Sequence, residues 1–175
     1  MTEVTSRPQA DDDRAGYRTG AGVVERRLAD GRDAAFLRDL FAESRDDLHL
    51  LPPDTRDVIV DMQLRAQRRA WRLEHPHARH EVLVVRGVRA GHLVTAEDRA
   101  TVHVVDLAVR PGLRGLGIGA AVLAELAADA DRTRRTLQAR VWTARYAARR
   151  LFERAGFAAG TQLAGYREMV RPPAE

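Results

Sequence analysis

Apolar residues along this chain follow two rhythms, one of period two and one of period three to four, which predict a succession of strands and helices. Gly22-Val-Val-Glu-Arg-Arg-Leu28 reads as a first strand, and Ala34, Leu37, Leu40 and Phe41 recur at helical spacing between Asp33 and Ser44. Pro52-Pro53-Asp54 breaks the chain and caps a longer helix, in which Val58, Met62, Ala66, Ala70 and Leu73 return every three or four residues. Trp71 lies along that helix with Leu64 and Gln67 and reads as core packing. His80 to Arg86 and Ala90 to Thr95 are expected to pair about a turn at Gly87, with the β-branched run Thr101 to Val109 as the third strand of the meander. Gly117 to Ala130 predicts a helix with Ile118, Val122, Leu123 and Leu126 on its apolar face. Leu137 to Trp142 predicts a strand, Arg145 to Ala155 a helix, and Phe157 to Val170 a closing hairpin. The sum is one α/β domain over residues 20–175, without an internal repeat, behind a polar and acidic tail at residues 1–19.

Composition narrows the chemistry. The 175 residues suffice for a single domain that buries about 70% of its unfolded surface. Without cysteine the chain has no disulfide, thiolate metal site, iron–sulfur cluster or cysteine nucleophile. All 29 basic residues are arginine, which removes Schiff-base chemistry, a lysine-bound pyridoxal cofactor, a Walker A loop and the kinase ATP-anchoring lysine. The net charge of +4 is modest because 25 acidic residues are interspersed. Arg65, Arg68, Arg69 and Arg72 share one side of the long helix and read as a solvated face rather than a nucleic-acid surface. No run approaches the roughly 20 apolar residues of a membrane span, and no signal-peptide pattern is present, so a cytoplasmic protein without a membrane partner is expected. His75-Pro-His-Ala-Arg-His80 lacks a nearby carboxylate cluster, and no metal is expected there.

The most informative stretch is Val105-Asp-Leu-Ala-Val-Arg-Pro-Gly-Leu-Arg-Gly-Leu-Gly-Ile-Gly-Ala120, which reads strand, turn, glycine-rich loop, helix. Glycines at alternate positions 115, 117 and 119 let successive amides converge, and the helix start adds unsatisfied N–H groups and partial positive charge. The amides of Leu116 to Ala120 therefore form a candidate pyrophosphate cradle. Gly115, Gly117 and Ala120 also fit a loose dinucleotide pattern, but the next strand, Leu137 to Trp142, ends without the acidic residue which that reading requires.

At these residues the sequence resembles the GNAT N-acetyltransferase superfamily, over about Val23 to Arg171. Arg114-Gly-Leu-Gly-Ile-Gly119 matches the Q/R-x-x-G-x-G/A acyl-CoA signature, and Ala148-Arg-Arg-Leu-Phe-Glu-Arg-Ala-Gly-Phe157 is similar to the second signature, A-x-x-L-Y-E-x-x-G-F. The resemblance implies a mixed, mostly antiparallel sheet flanked by helices, acetyl-CoA as acyl donor, no metal, and transfer to a primary amine of a small molecule or protein. It implies that Leu107, Ala108 and Val109 lie along pantetheine, that Arg114, Gly115, Leu116, Gly117, Ile118, Gly119 and Ala120 hold the pyrophosphate, and that Arg145 and Phe152 sit at cofactor-contacting positions. Two of these depart from the pattern. Arg145 stands where an asparagine is usual, and Phe152 replaces the tyrosine that often protonates the leaving sulfur, a role open to Tyr166 or Tyr146 and one whose loss need not abolish turnover.

An attacking amine must lose a proton. His103 and Asp106 are the candidate acceptors, with His103 ranked first because the resemblance places a histidine or glutamate at its position. Strict alternation sets His103, Val105, Leu107 and Val109 on one face of the strand and Asp106 on the other with Val104 and Ala108. Trp142 ends its strand beside the expected thioester, and the acceptor is expected to enter between the first two helices and the 157–170 region. A non-catalytic acyl-CoA sensor and an RNA- or aminoacyl-tRNA-directed protein are the alternative functions, and a homodimer is compatible with the pattern.

Overall fold

The computed structural model describes residues 17–48 and 50–174. Eight strands form one sheet in the order β1-β2-β3-β4-β5-β6-β8-β7, comprising β1 (Tyr17–Thr19), β2 (Gly22–Leu28), β3 (Arg79–Val85), β4 (Val88–Glu97), β5 (Thr101–Val109), β6 (Thr136–Trp142), β7 (Ala158–Leu163) and β8 (Tyr166–Arg171). Helices α1 (Ala34–Glu43) and α2 (Pro53–Glu74) separate β2 from β3, α3 (Ile118–Arg132) links β5 to β6, and α4 (Tyr146–Arg154) follows β6. Every pairing is antiparallel except β5 with β6. The mixed, mostly antiparallel α/β architecture is the one expected.

Local chemistry sets the joints. The β3–β4 turn at Arg86-Gly87 and the β7–β8 turn at Ala164-Gly165 each place two consecutive residues at positive φ, the geometry of tight hairpins. A reciprocal capping box opens the helical segment at α1: Arg32 N donates to Asp30 Oδ1 at 2.8 Å and Asp30 N donates to Asp33 Oδ2 at 2.9 Å. Pro53 occupies the first turn of α2, where its missing N–H costs nothing.

The larger core lies between the sheet and α3 with α4. Ile118, Val122 and Leu123 are sealed against Val102, Val104, Leu137, Val141 and Met169, each large side chain contributing about 1.5–3 kcal/mol by leaving water. A smaller cluster on the opposite face packs Phe36 and Leu40 of α1 onto Val82, Val84 and Ala108.

Three expectations change. Residues 17–19, assigned to the tail, form β1, held through a turn in which Thr19 Oγ1 donates to Gly22 O at 2.7 Å; the rest of the expected tail lies outside the described residues. The stripe Val58, Met62, Ala66, Ala70, Leu73 does not face the core: Val58 and Leu73 are 67% and 76% exposed, and α2 instead presents Val60, Leu64, Gln67 and Trp71 to the sheet. Two apolar stripes share this helix, and only the one with the tryptophan is covered. Third, β5 does not alternate uniformly. Val94 pairs Asp106 and the adjacent Thr95 pairs Val104, so Val105 is an inserted bulge residue. Val102 and Val104 before it, and Leu107 and Val109 after it, all pack against the α3 core, while Ala108 packs under α1. His103 and Asp106 therefore share the α1–α2 face, where strict alternation would have separated them.

Candidate active site

The bulge coincides with an opening in the sheet. The parallel pairing of β5 and β6 runs from Thr101 with Thr136 to Val104 with Ala139 and stops there. Val105–Val109 continue along one side, paired only to β4, and Arg140–Trp142 along the other, paired only to β8. Between them is a seam without pairing, whose β5 edge offers backbone N–H and C=O groups without a strand partner. An extended chain bearing amides can pair there as an added strand.

The glycine-rich loop follows β5 at the end of the seam. A one-turn helix at Pro111–Leu113 leads into it, and Arg114 is tied back to the strand by Nε donating to Val109 O at 3.0 Å. Gly115 and Gly117 have φ of +78° and +83°, which a β-carbon would strain, and Gly117 is the N-cap of α3. Gly119 serves packing: a β-carbon there would come within 3.0 Å of Leu151 Cδ2 on α4. Ala121 is the first residue whose amide closes onto the helix, donating to Gly117 O at 2.9 Å. The amides of Ile118, Gly119 and Ala120 thus point out of the helix start without an intrahelical acceptor, and no side chain caps them. Leu116 is exposed beside them, whereas the Ile118 side chain is buried beneath. Free amides at a helix N-terminus next to an unpaired sheet edge are an arrangement suited to an anion.

Asp106 stands inside the seam on the α1–α2 face, with its side chain 32% exposed. Its Oδ2 lies 3.7 Å from His92 Nδ1, longer than a hydrogen bond. His92, on β4, is not among the residues that sequence reasoning singles out; its only signal is a histidine between the apolar residues Ala90 and Leu93. Its Nε2 is buried with no partner among the described residues. The ring stacks on His80 at 5.6 Å, and Trp71 of α2 leans over both, 5.8 Å from His80 and 6.3 Å from His92. Burial, reinforced by His92 and Arg68, pushes the His80 imidazole below the ordinary histidine value.

His103 sits elsewhere. It pairs with Gln138 where β5 and β6 are still joined, its Nε2 is 3.2 Å from Asp98 Oδ2 in the β4–β5 turn, and its ring lies 5.8 Å from His75. Of the two expected proton acceptors, only Asp106 lies within the opened part of the seam. The remaining expected residues divide. Leu107 and Val109 lean on the α3 core, and Ala108 on α1. Phe152 is 6% exposed and meets Phe157 edge-on at 5.0 Å, so its ring belongs to the core. Arg145 reaches across to α1, donating from Nη2 to Ser44 O at 2.8 Å. Together with the Arg110–Glu43 pair, in which Arg110 Nη2 donates at 2.5 Å, it ties the end of α1 to both sides of the seam. On the β6 side Trp142 and Tyr166, each 45% exposed, pack edge-on at 5.0 Å, and Tyr146 accepts from Arg150 Nη1 at 3.0 Å.

A mixed sheet parted beside a backbone anion cradle defines an acyltransferase-type scaffold. The acetyltransferase (GNAT) family model matches residues 37–157, and the chain belongs to that family. Solved structures agree in fold. PaiA N-acetyltransferase from Thermoplasma acidophilum, determined with coenzyme A, is 11% identical and superposes with a TM-score of 0.64 over 85% of this chain and 98% of that one. An acetyltransferase from Thermus thermophilus is 24% identical, with a TM-score of 0.62 over 85% and 96% of the two chains. The Salmonella typhimurium protein yncA, determined with its cofactor acetyl-CoA, is 21% identical, with a TM-score of 0.56 over 87% and 95%. A comparison with curated proteins gives no match. Among the described residues no helix is long and apolar enough to cross a membrane.

Proposed function

We propose that this protein transfers an acetyl group from acetyl-CoA to a primary amine, with Asp106 as the proton acceptor. The observation that carries the reading is the coincidence of three features at one point of β5: loss of pairing to β6 after Val104, the bulge at Val105, and the carboxylate of Asp106 immediately beyond. The residues fit the donor. Amides from Leu116 to Ala120 meet a pyrophosphate, each hydrogen bond to a charged oxygen contributing about 1.5–3 kcal/mol, and the free β5 edge at Leu107–Val109 aligns pantetheine. Bound acetyl-CoA supplies the thioester. Asp106 accepts the amine's proton, with His92 Nδ1 3.7 Å behind it. Phe152 has no proton to donate, and a thiolate with a pKa of roughly 8.5 leaves without one. The acceptor amine approaches from the α1–α2 face, where Asp106 is open to solvent and Trp142 and Tyr166 stand across the seam.

The test is calorimetric titration with acetyl-CoA, followed by thiol release across a panel of amines and amino-terminal peptides. Asp106→Asn is expected to lower kcat/KM by about 10²–10⁴-fold with unchanged acetyl-CoA affinity, and His103→Gln to leave kcat/KM within about threefold. A protein that binds no acetyl-CoA loses the reading altogether. One that binds it yet releases no thiol with any amine is the acyl-CoA sensor, a reading favoured by the missing tyrosine at Phe152. An Asp106→Asn variant of full activity returns the role to His103.

A further inference from the structure

His92 is a buried titratable group that the proposed transfer leaves unused. It lies in the middle of β4, opposite Val82 of β3 and Ala108 of β5, and is 7% exposed. Each nitrogen of a ring so enclosed needs a partner in place of water. Nδ1 stands 3.7 Å from Asp106 Oδ2, whereas Nε2 is sealed with no partner among the described residues. That asymmetry selects a tautomer. A proton on Nε2 would be a buried donor without an acceptor, and would turn the bare lone pair of Nδ1 toward a carboxylate. A proton on Nδ1 leaves only a lone pair unmet, the milder fault, and aims an N–H at the negative charge.

The rest of the nook fits a neutral donor. His80 of β3 stacks on His92 at 5.6 Å with 22° between the rings, Trp71 of α2 leans over both, and the positive charge of Arg68, also on α2, acts on His80. A second proton on this histidine pair would add positive charge near a guanidinium, with Asp106 of β5 as the opposing anion. On the reading that Asp106 accepts the amine's proton, we infer that His92 is the positioning residue of that carboxylate: neutral and protonated at Nδ1, it donates to Oδ2 when the amine binds and leaves Oδ1 to receive the proton. Closing the gap from 3.7 Å to a hydrogen bond takes about 0.5–0.8 Å of movement, and contacts of this kind tighten as substrate fills a site. An N–H bond of the amine breaks, an O–H bond forms at Oδ1, the nitrogen keeps the electron pair, and His92 keeps its own proton. Two effects result. The carboxylate is aimed into the seam, and donation to its charged form holds it ionised to lower pH.

Long-range proton–nitrogen NMR on the full wild-type chain, at about pH 7.5, reads the tautomer without acetyl-CoA, and His92→Leu or His92→Asn identifies the His92 signal by its loss. The Nδ1–H form is expected. In the kinetics His92→Leu is expected to lower kcat about tenfold or more, with the amine KM and the acetyl-CoA affinity unchanged. The acid limb of its kcat/KM–pH profile should lie about one unit higher, because the carboxylate has lost a donor. His92→Asn puts an amide nitrogen where Nδ1 was and is expected to bring the limb back. Both variants lose the ring beneath Trp71, so a role in packing alone would lower the melting temperature of each and leave the limb in place. An Nε2–H tautomer or a doubly protonated ring overturns the inference, as does a limb unmoved in His92→Leu or no lower in His92→Asn. Failure of the underlying reading looks different: a fully active Asp106→Asn variant removes the base that His92 serves, whatever the tautomer.

Discussion

Gly91→Ala tests how tightly the seam is built. Gly91 lies opposite Val109 at the end of β5, and a β-carbon there would fall 2.3 Å from the Ala108 carbonyl oxygen and 3.1 Å from Leu83 Cδ1. Real β-carbons do not approach closer than 3.0 Å, so the Ala108 carbonyl must retreat by about 0.7 Å, and it is backbone held in a ladder rather than a side chain that can rotate. Overpacking of this kind costs about 1–3 kcal/mol, and a backbone obstacle puts Gly91→Ala at the upper end. For a domain of this size that corresponds to a fall in Tm of about 6–12 °C. The displaced segment is the edge proposed to pair with pantetheine, so the Tm gain on adding acetyl-CoA should also shrink. With ligand at 100 times Kd that gain reflects about 2.7 kcal/mol in the wild type. Thermal melts with and without acetyl-CoA measure both effects. Gly112→Ala, with nothing within 4 Å and no positive φ, is the control and should melt within about 2 °C of the wild type. A Gly91→Ala protein that also melts there refutes the steric reasoning.

Other outcomes follow from specific contacts. Gly117→Ala forces a side chain to φ +83° at the start of α3; acetyl-CoA affinity should fall at least tenfold by titration, with a stability loss of about 1–2 kcal/mol. Asp33 is fully buried and receives Arg27 Nη1 and Nη2 at 2.8 and 2.7 Å, so Asp33→Ala should cost about 3 kcal/mol in urea unfolding, with only a small loss leaving the pair unimportant. The paired Arg171 guanidinium holds Asp131 at about 2, so this contribution is complete above pH 4 and is lost as pH falls from 4 toward 2; Asp131→Asn should flatten the acid limb of a Tm–pH curve. His80 is shifted the other way from a partnered histidine. Its folded state disfavours the proton, so stability is full above pH 6.5 and declines as pH falls below it, and His80→Gln should remove that decline.

Periodicity announces nearly every element because helices and strands here carry whole apolar faces. The β3–β4 and β7–β8 turns are legible through Gly87 and Gly165 for the same local reason: two-residue hairpins need positive φ. The cradle is legible too, since its chemistry belongs to the backbone and glycine spacing alone reports it. What periodicity leaves open is the side on which a stripe lands. Helix α2 bears two apolar stripes, and the choice between Met62 and Trp71 is made by the sheet beneath, not by the helix. The position of the proposed proton acceptor is obscured by one residue of register. A bulge at Val105 is set by pairing to Val94 and Thr95, a non-local fact, and it moves Asp106 to the face of His103. His92 stays hidden because its importance arises only from the residues that surround it.

Strand β5 is consequently written in two frames, one for positions 101–104 and another for 106–109, with Val105 as the comma between them. Shortening the chain by that single residue would leave Asp106 opposite Val94 and Leu107 opposite Leu93 on their present faces, but in one regular frame without the bulge that accompanies the parting from β6. Point changes at neighbouring positions leave both frames intact. Redesign of the acceptor side therefore has wide freedom in residue identity and almost none in residue count.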